Sequence, residues 1–466
     1  MEKNLTAQGA PTIENPLGTL PIMPLILKFA GPSIISMLTI SLYNITDQVF
    51  IGNVIGMLGN AATNVAFPTV TLSTGLSMLF GIGTASNFSI NLGKGDIKEA
   101  KKHVTTGLTS CAYMGIILFI LLFVFREQVL WICGATEDCF GYALDYFTIT
   151  CFGLPLHVFM HSGQNIIRAD GSPKYAMVCT ISGVLLNVVL DWFFMFPLDM
   201  GIKGAALATV IGQSVSFILC VSYFPRFKAF KISMKDMWKL SKKHLLRNMA
   251  TGIPNFVSHM CMLITNITLN NMLVNYGMLS IYGEDIPLAV SGIAAKVNMI
   301  MVGFSVGLAQ GSQPIWGFNL GAGKIDRVKG TYKRVFALAF GIGVIAFICF
   351  QTFPRTIISL FGPGSDLYFE FAEKYLKTYM FMVFFQNIQP VTINYFSAIG
   401  YAKHGLIVSI SRQGAFLVPL LIILPKFMGL DGVLYASPIA DTLAFILSVG
   451  MVLLTFKDLD KYRRKE

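Results

Sequence analysis

Residues 91–102 read NLGKGDIKEAKK, and residues 319–330 read NLGAGKIDRVKG, 228 positions further on. A second pair keeps that offset: FPLDMGIKGAALA at 196–208 and LPKFMGLDGVLYA at 424–436 align Pro197, Gly201 and Gly204 with Pro425, Gly429 and Gly432. Nearer the N-terminus the register shifts by six, pairing Pro32 with Pro254 and Asn44 with Asn266, as a change in loop length produces. The chain is a duplication.

Each copy is strongly apolar. Of the 466 residues 54% are hydrophobic and 13% charged, with a mean hydropathy of +0.65, whereas a soluble domain carries about 25% charged residues. A helix crossing the hydrocarbon core needs roughly 20 apolar residues. Twelve such stretches are expected, at about 25–51, 61–91, 105–125, 140–166, 175–196, 202–223, 249–275, 287–318, 333–353, 372–399, 405–424 and 430–455. The predicted fold is an all-α membrane protein. Because each copy has an even number of spans, both insert in the same sense, as parallel repeats related by an axis along the membrane normal around a central cavity. The expected divisions are a cytoplasmic segment 1–24, an N-lobe 25–223, a linker 224–248, a C-lobe 249–456 and a basic tail 457–466. Met234, Met237, Trp238 and Leu245 interleave with lysines in the linker, which fits an interfacial amphipathic helix or packing beneath the lobes.

A net charge of +11 raises the question of nucleic acid, but the distribution of charge answers it. Of 35 basic residues, 27 fall in alternate connections and at the two ends, against six in the intervening connections. By the positive-inside rule this places both termini in the cytoplasm of a multi-pass protein, expected in a bacterial plasma (inner) membrane. The first 24 residues show no removable signal. Cys133 and Cys139 share an outer loop, and free thiols are favoured there over a disulfide.

Asp47, in LYNITDQVFIG, and Asp191, in LLNVVLDWFFM, lie within spans. An ionisable group at that depth costs about 2.5–3.5 kcal/mol on insertion scales and marks an ion or substrate path. Asn44 and Asp47 stand three apart, and Asn187 and Asp191 four apart, so each pair shares a helix face. Such faces hold a proton or offer oxygens to a small hard cation. The equivalent C-half positions are Leu269 and Pro419. Cation coupling is therefore expected in the N-half.

Other signals have plainer readings. The stretch from Gly317 to Gly323 has one intervening residue too many for a phosphate loop, and Ile325 stands where Ser or Thr is needed. These glycines read as helix caps. Lys296, Arg412 and Asp441 lie in C-half spans, with an ion pair from Asp441 expected, and His157 and His161 lack a third ligand. No surface cluster of histidines and carboxylates suggests a membrane-embedded enzyme.

With these residues in hand, the chain resembles the multidrug and toxic compound extrusion (MATE) family, in its MepA-like and DinF-like bacterial branch. The resemblance covers about residues 25–455 and rests on SLYNITDQVFIG, RADGSPKYA, NVVLD and GIKGAALAT. It implies export of varied, often cationic amphiphiles by antiport with H⁺ or Na⁺, with no cofactor and no enzyme activity. The expected partners are drug-like small molecules and membrane lipid, acting on a monomer, with a flippase or exporter of a lipid-linked or anionic substrate as the alternative. Carried over, the resemblance implies cation coupling at Asp47, Asn187, Asp191 and Thr209, and a bend of the first helix at Pro32. Acids that other branches place on helices seven and ten are absent here, where Asn266, Asn270, Gln386 and Asn394 stand. Asn44, Met160, Gln164, Asn270, Lys296 and Phe304 are the candidates for the substrate cavity.

Overall fold

The structure, a computed structural model, describes residues 15–233, 240–361 and 364–463. Among these, nine helices are long and apolar enough to cross a membrane: Ile22–Val54 (α1), Met57–Gly93 (α2), Ile97–Val124 (α3), Pro173–Met195 (α5), Gly201–Tyr223 (α6), Asp285–Gly321 (α8), Ile325–Thr352 (α9), the helical run 402–428 (α11) and Leu430–Arg463 (α12). A tenth span is a bent pair, Glu137–Cys151 with Leu154–Ala169 (α4), the two pieces meeting at 53°. Pro155 accounts for the break, since it opens the second piece and cannot donate a helical hydrogen bond. The remaining two expected spans are helical but atypical. Lys242–Gly277 (α7) is long but less apolar, because Asn248, Thr251 and Asn255 turn towards neighbouring helices. The other is divided into Asp366–Tyr379, Val383–Gln386 and Ile388–Ala398 (α10).

Each glycine-rich repeat ends a helix, as the sequence implied. Gly95 and Gly323 take φ of +77° and +69° just past α2 and α8, a conformation that favours glycine. The Asp96 carboxylate then accepts from the Glu99 N–H at 3.0 Å to cap α3. The same repeat does something the sequence did not announce. A Cβ on Gly93 would overlap the Phe318 carbonyl oxygen, and one on Gly321 would overlap the Ile90 carbonyl oxygen. Ile90 and Phe318 are themselves 228 apart, so the contact is reciprocal and places a local two-fold axis between the copies.

The same symmetry governs the rest of the seam. Gly83 and Gly252 bring α2 against α7, with Cβ overlaps at the Asn248 and Leu79 carbonyls, while Gly307 and Gly311 bring α8 against Ile34 and Ala30 of α1. Polar side chains stitch these contacts together. Asn87 Nδ2 donates to Asn248 Oδ1 (3.2 Å) and Thr251 Oγ1 (3.1 Å), and Gln313 Nε2 donates to the Ile82 carbonyl (3.0 Å) and Ser86 Oγ (2.8 Å). All lie in the halves of the helices nearest the basic loops. The two lobes therefore close on that side.

Two basic-loop readings change. Arg168, counted above among the topology-reporting charges, is buried and donates to Asn165 Oδ1 (2.7 Å) and Gln310 Oε1 (2.9 Å), so it belongs to the seam. The linker residues 234–239, with Met234, Met237 and Trp238, lie outside the described residues, and α7 begins at Lys242 rather than 249. The start of the linker packs under the N-lobe, where Phe227 and Phe230 meet Phe88. Asp170 anchors it by accepting from the backbone N–H groups of Lys228 (2.7 Å) and Ala229 (3.0 Å) and from the Tyr223 hydroxyl (2.7 Å). Burial pushes the Asp170 carboxyl up to about 6 against the pull of these donors.

Within the C-lobe, the expected ion pair forms between Arg412 Nε and Asp441 Oδ1 at 2.5 Å, with both side chains buried. Arg412 sits in a π-helical turn, Ser411–Leu417, in the middle of α11. Removing one partner of such a pair strands a buried charge, which costs about 3–5 kcal/mol, whereas an apolar pair of similar volume is often neutral. Asp441→Asn is accordingly expected to lower thermal stability markedly, and Arg412→Leu combined with Asp441→Leu to restore most of it. Unfolding of the purified variants, followed by heating, decides between these outcomes. Cys133 and Cys139 are free, as are the other six cysteines.

Candidate cation and substrate site

The N-lobe brings three helices together around its acids. Asn187 and Asp191 lie one turn apart on α5, where their four-residue spacing puts them on the same face, and α1 packs along that face. Asp47 on α1 and Asp191 on α5 are both buried, with their carboxyl groups facing one another. Gly212 lets α6 approach so closely that a Cβ there would meet the Asn187 Cβ at 2.9 Å. That approach carries Thr209 of α6 in towards the acids. Its hydroxyl bonds back to the Ala205 carbonyl (3.0 Å) and faces the phenols of Tyr43 and Tyr146, which feel both aspartates.

What sets the site apart is its unmet hydrogen-bonding capacity. One oxygen of Asp47, both oxygens of Asp191 and both polar atoms of Asn187 are buried without a partner. A buried polar group left unpaired costs about 1–3 kcal/mol, and more when it is charged. The oxygens among these atoms, on α1 and α5 of one lobe, fit a proton or a small hard cation ligated by oxygens, and a soft metal less well.

The structure thus gathers Asp47, Asp191 and Thr209 around one centre, with Asn187 one turn from Asp191. Sequence reasoning missed Tyr43 and Tyr146. The first had a signal, since Tyr43 precedes Asp47 by one turn. Tyr146 had none, because it arrives from α4. Pro32 lies inside an unbroken α1, where the Ser36 hydroxyl bonds to the Pro32 carbonyl at 2.9 Å.

The cavity candidates separate. A pocket of about 270 Å³ opens on the side away from the basic loops, lined by Gln48, Val49, Gly52, Asn53, Asn60 and Lys296, so Lys296 is placed in it. Met160 and Gln164 are instead buried inside the N-lobe, and Gln164 Oε1 accepts from the Thr180 hydroxyl at 3.2 Å. Their polar and flexible side chains serve packing there. Asn44 bonds back to the Ile40 carbonyl (3.0 Å), Asn270 is exposed and Phe304 is half-buried. The His157 and His161 rings lie 4.4 Å apart and tilted by 50°, and His157 Nδ1 meets Ser73 Oγ at 3.2 Å. They form a packing pair.

The family model MatE matches the chain twice, over residues 32–193 and 254–423, one match for each copy of the duplication. The chain belongs to the MatE family. Among curated MatE relatives, the multidrug export protein MepA of Staphylococcus aureus (strain MSSA476) is 26% identical over 434 residues, covering 93% of this chain and 94% of that one. MepA of Staphylococcus saprophyticus is 25% identical, covering 92% and 93% respectively. The fold matches that of a multidrug resistance MATE family transporter of the MOP superfamily in its outward-facing conformation, with a TM-score of 0.87, 23% identity and coverage of 94% and 96%. A MOP superfamily transporter from Pyrococcus furiosus gives a TM-score of 0.87 at 22% identity, covering 95% and 99%. The MatE assignment and the helical spans make this a membrane protein built as two lobes.

Proposed function

We propose that this MatE protein is a secondary active exporter of varied, often cationic amphiphilic compounds, driven by H⁺ or Na⁺ entering through the N-lobe. The observation that carries this reading is the facing pair Asp47 and Asp191, buried in spans with three of their four oxygens unpartnered. Carboxylates at that depth persist where they exchange a cation. The multidrug export activity of the MepA relatives supports the choice of substrate class.

Coupling follows from linkage. A bound cation shifts the balance between two conformations only by its differential affinity for them. Closure on the basic-loop side and a pocket on the other describe one of those conformations. If loading Asp47 and Asp191 reshapes α1 about Pro32, the wall of the pocket that Gln48 and Asn53 supply moves with it, since both are on α1. Substrate release and cation entry then share one helix.

The test uses inverted membrane vesicles and a fluorescent lipophilic cation, with proton and sodium gradients imposed separately. Accumulation driven by one gradient and abolished by its collapse is expected. Accumulation that ignores both gradients sinks the antiport reading. A second reading, export of a lipid-linked or anionic substrate, is favoured by Lys296 in the pocket. In that case an anionic dye replaces the cation as the transported species, and Lys296→Gln abolishes its movement.

A further inference from the structure

Glu99 and His103 stand one turn apart near the start of α3, and His244 reaches them from the first turn of α7, across the seam between the two lobes. One ligand atom from each of the three lies within 4.8 Å of the others. His103 and His244 are buried, while the Glu99 side chain is 31% exposed.

The surrounding hydrogen bonds orient the imidazoles. Asn248 Nδ2 donates to the His103 backbone carbonyl (3.1 Å) and to Thr84 Oγ1 (3.0 Å), which fixes its amide so that Oδ1 is the acceptor. That Oδ1 lies 2.7 Å from His103 Nδ1, so Nδ1 must carry the proton and Nε2 the lone pair. His244 is held at both ring nitrogens: Nδ1 lies 2.6 Å from Ser241 Oγ and Nε2 donates to Glu99 Oε2 at 2.8 Å, so ligation through Nε2 requires that proton to leave, with Nδ1 then donating to Ser241. Orientation of a histidine through its second ring nitrogen is what metal-binding histidines show. The other Glu99 oxygen accepts from Lys102, an exposed side chain free to swing away.

We infer that Glu99, His103 and His244 form a site for a divalent transition-metal ion of the zinc, cobalt or nickel type, which pins the two lobes together on the basic-loop side. Two imidazoles and one carboxylate suit these borderline ions, whereas calcium and magnesium require oxygen ligands. A tetrahedral ion at about 2.0–2.1 Å from each donor needs the donors about 3.4 Å apart. Binding therefore draws the three donors inward from their present separation of up to 4.8 Å, and a water completes the shell. The ion replaces the proton now shared between His244 and Glu99. Since His103 is on the N-lobe and His244 on the C-lobe, the ion is a staple across a seam that must open during transport. Its effect is inhibition.

The full-length protein, freed of any histidine tag and stripped with a chelator, is titrated with cobalt(II) and zinc(II) in detergent. One equivalent is expected to bind, with cobalt giving visible bands of a four-coordinate ion, and Glu99→Gln and His244→Gln are each expected to lose at least about tenfold in affinity, the loss that even outer-shell partners of a ligand bring about. In vesicles, zinc is expected to slow wild-type export reversibly and to leave the Glu99→Gln protein, active without zinc, unaffected. Binding no tighter in the wild type than in His244→Gln overturns the site, and zinc-loaded protein that exports at the unloaded rate overturns the staple. Because binding is read by spectrum and titration, either result stands apart from the question of which ion drives export.

Discussion

Replacing Asp191 with Asn is expected to abolish gradient-driven export while leaving the protein folded, and Asp47→Asn is expected to do the same. Asparagine keeps the size of the side chain and most of its hydrogen-bonding capacity but cannot bind and release a proton, and it ligates a cation weakly. Asp191 is fully buried with neither oxygen paired, so no structural partner is lost when it is changed. Neutralising an unpaired buried carboxylate removes a desolvation penalty. Thermal stability should therefore hold or rise slightly. Coupling between two sites is typically worth 1–3 kcal/mol, or about 5- to 150-fold, and the rate under a gradient should fall by at least about tenfold. Initial rates in vesicles, set beside heat-unfolding midpoints of the same preparations, separate loss of coupling from loss of fold. Wild-type rates in both variants would end the N-lobe assignment.

Valine in place of Gly252 is expected to drive the lobes apart on the basic-loop side. A Cβ at this position would overlap the Leu79 carbonyl oxygen, which is backbone and cannot rotate away. Relief requires α2 and α7 to separate, and forcing atoms into a packed contact costs about 1–3 kcal/mol. A shift of that size changes the ratio of closed to open forms by roughly 5- to 150-fold. Gly83→Val acts on the same helix pair through the Asn248 carbonyl, and Gly321→Val on the reciprocal contact at Ile90. All three should slow export and make the buried seam residue Ser86, changed to cysteine in a background lacking the other thiols, react with reagents from the basic-loop side. Gly341→Val is the control: nothing lies within 4 Å of its Cβ position on α9, so seam and rate should stay as in the parent. Equal thiol reactivity in the Gly252 and Gly341 variants would show that the seam does not depend on these glycines.

The four-residue spacing of Asn187 and Asp191 is legible in the chain's letters, since a helix places such residues on one face whatever surrounds it. Their convergence with Asp47 and Thr209 came from resemblance, and packing produced it: Gly212 admits α6 to α5, and α1 lies along both. Tyr146 belongs to this site but stands on α4, and no spacing rule connects residue 146 with residue 47 or 191. Met160 and Gln164, named as cavity candidates, are buried within the N-lobe in this conformation, and the reason is related. Helical position says which residues share a face, but only the packing of the whole lobe says whether that face meets the cavity or the interior.

The sequence by itself determined that the chain is a duplicated, membrane-spanning, all-helical protein with two acids placed where acids are costly. Those properties are local or additive: hydropathy sums along a segment, caps and breaks depend on neighbouring residues, and a repeat is visible as letters. Tertiary structure alone decided that NLGKG and NLGAG touch each other backbone to backbone, that Arg168 serves the seam rather than a loop, and that Glu99, His103 and His244 meet across it. Contacts of this kind join residues up to 231 positions apart, and they are set by the crossing angle and register of whole helices. A shift of one residue along a helix moves a side chain by 1.5 Å and turns it by about 100°, enough to make or break any of them.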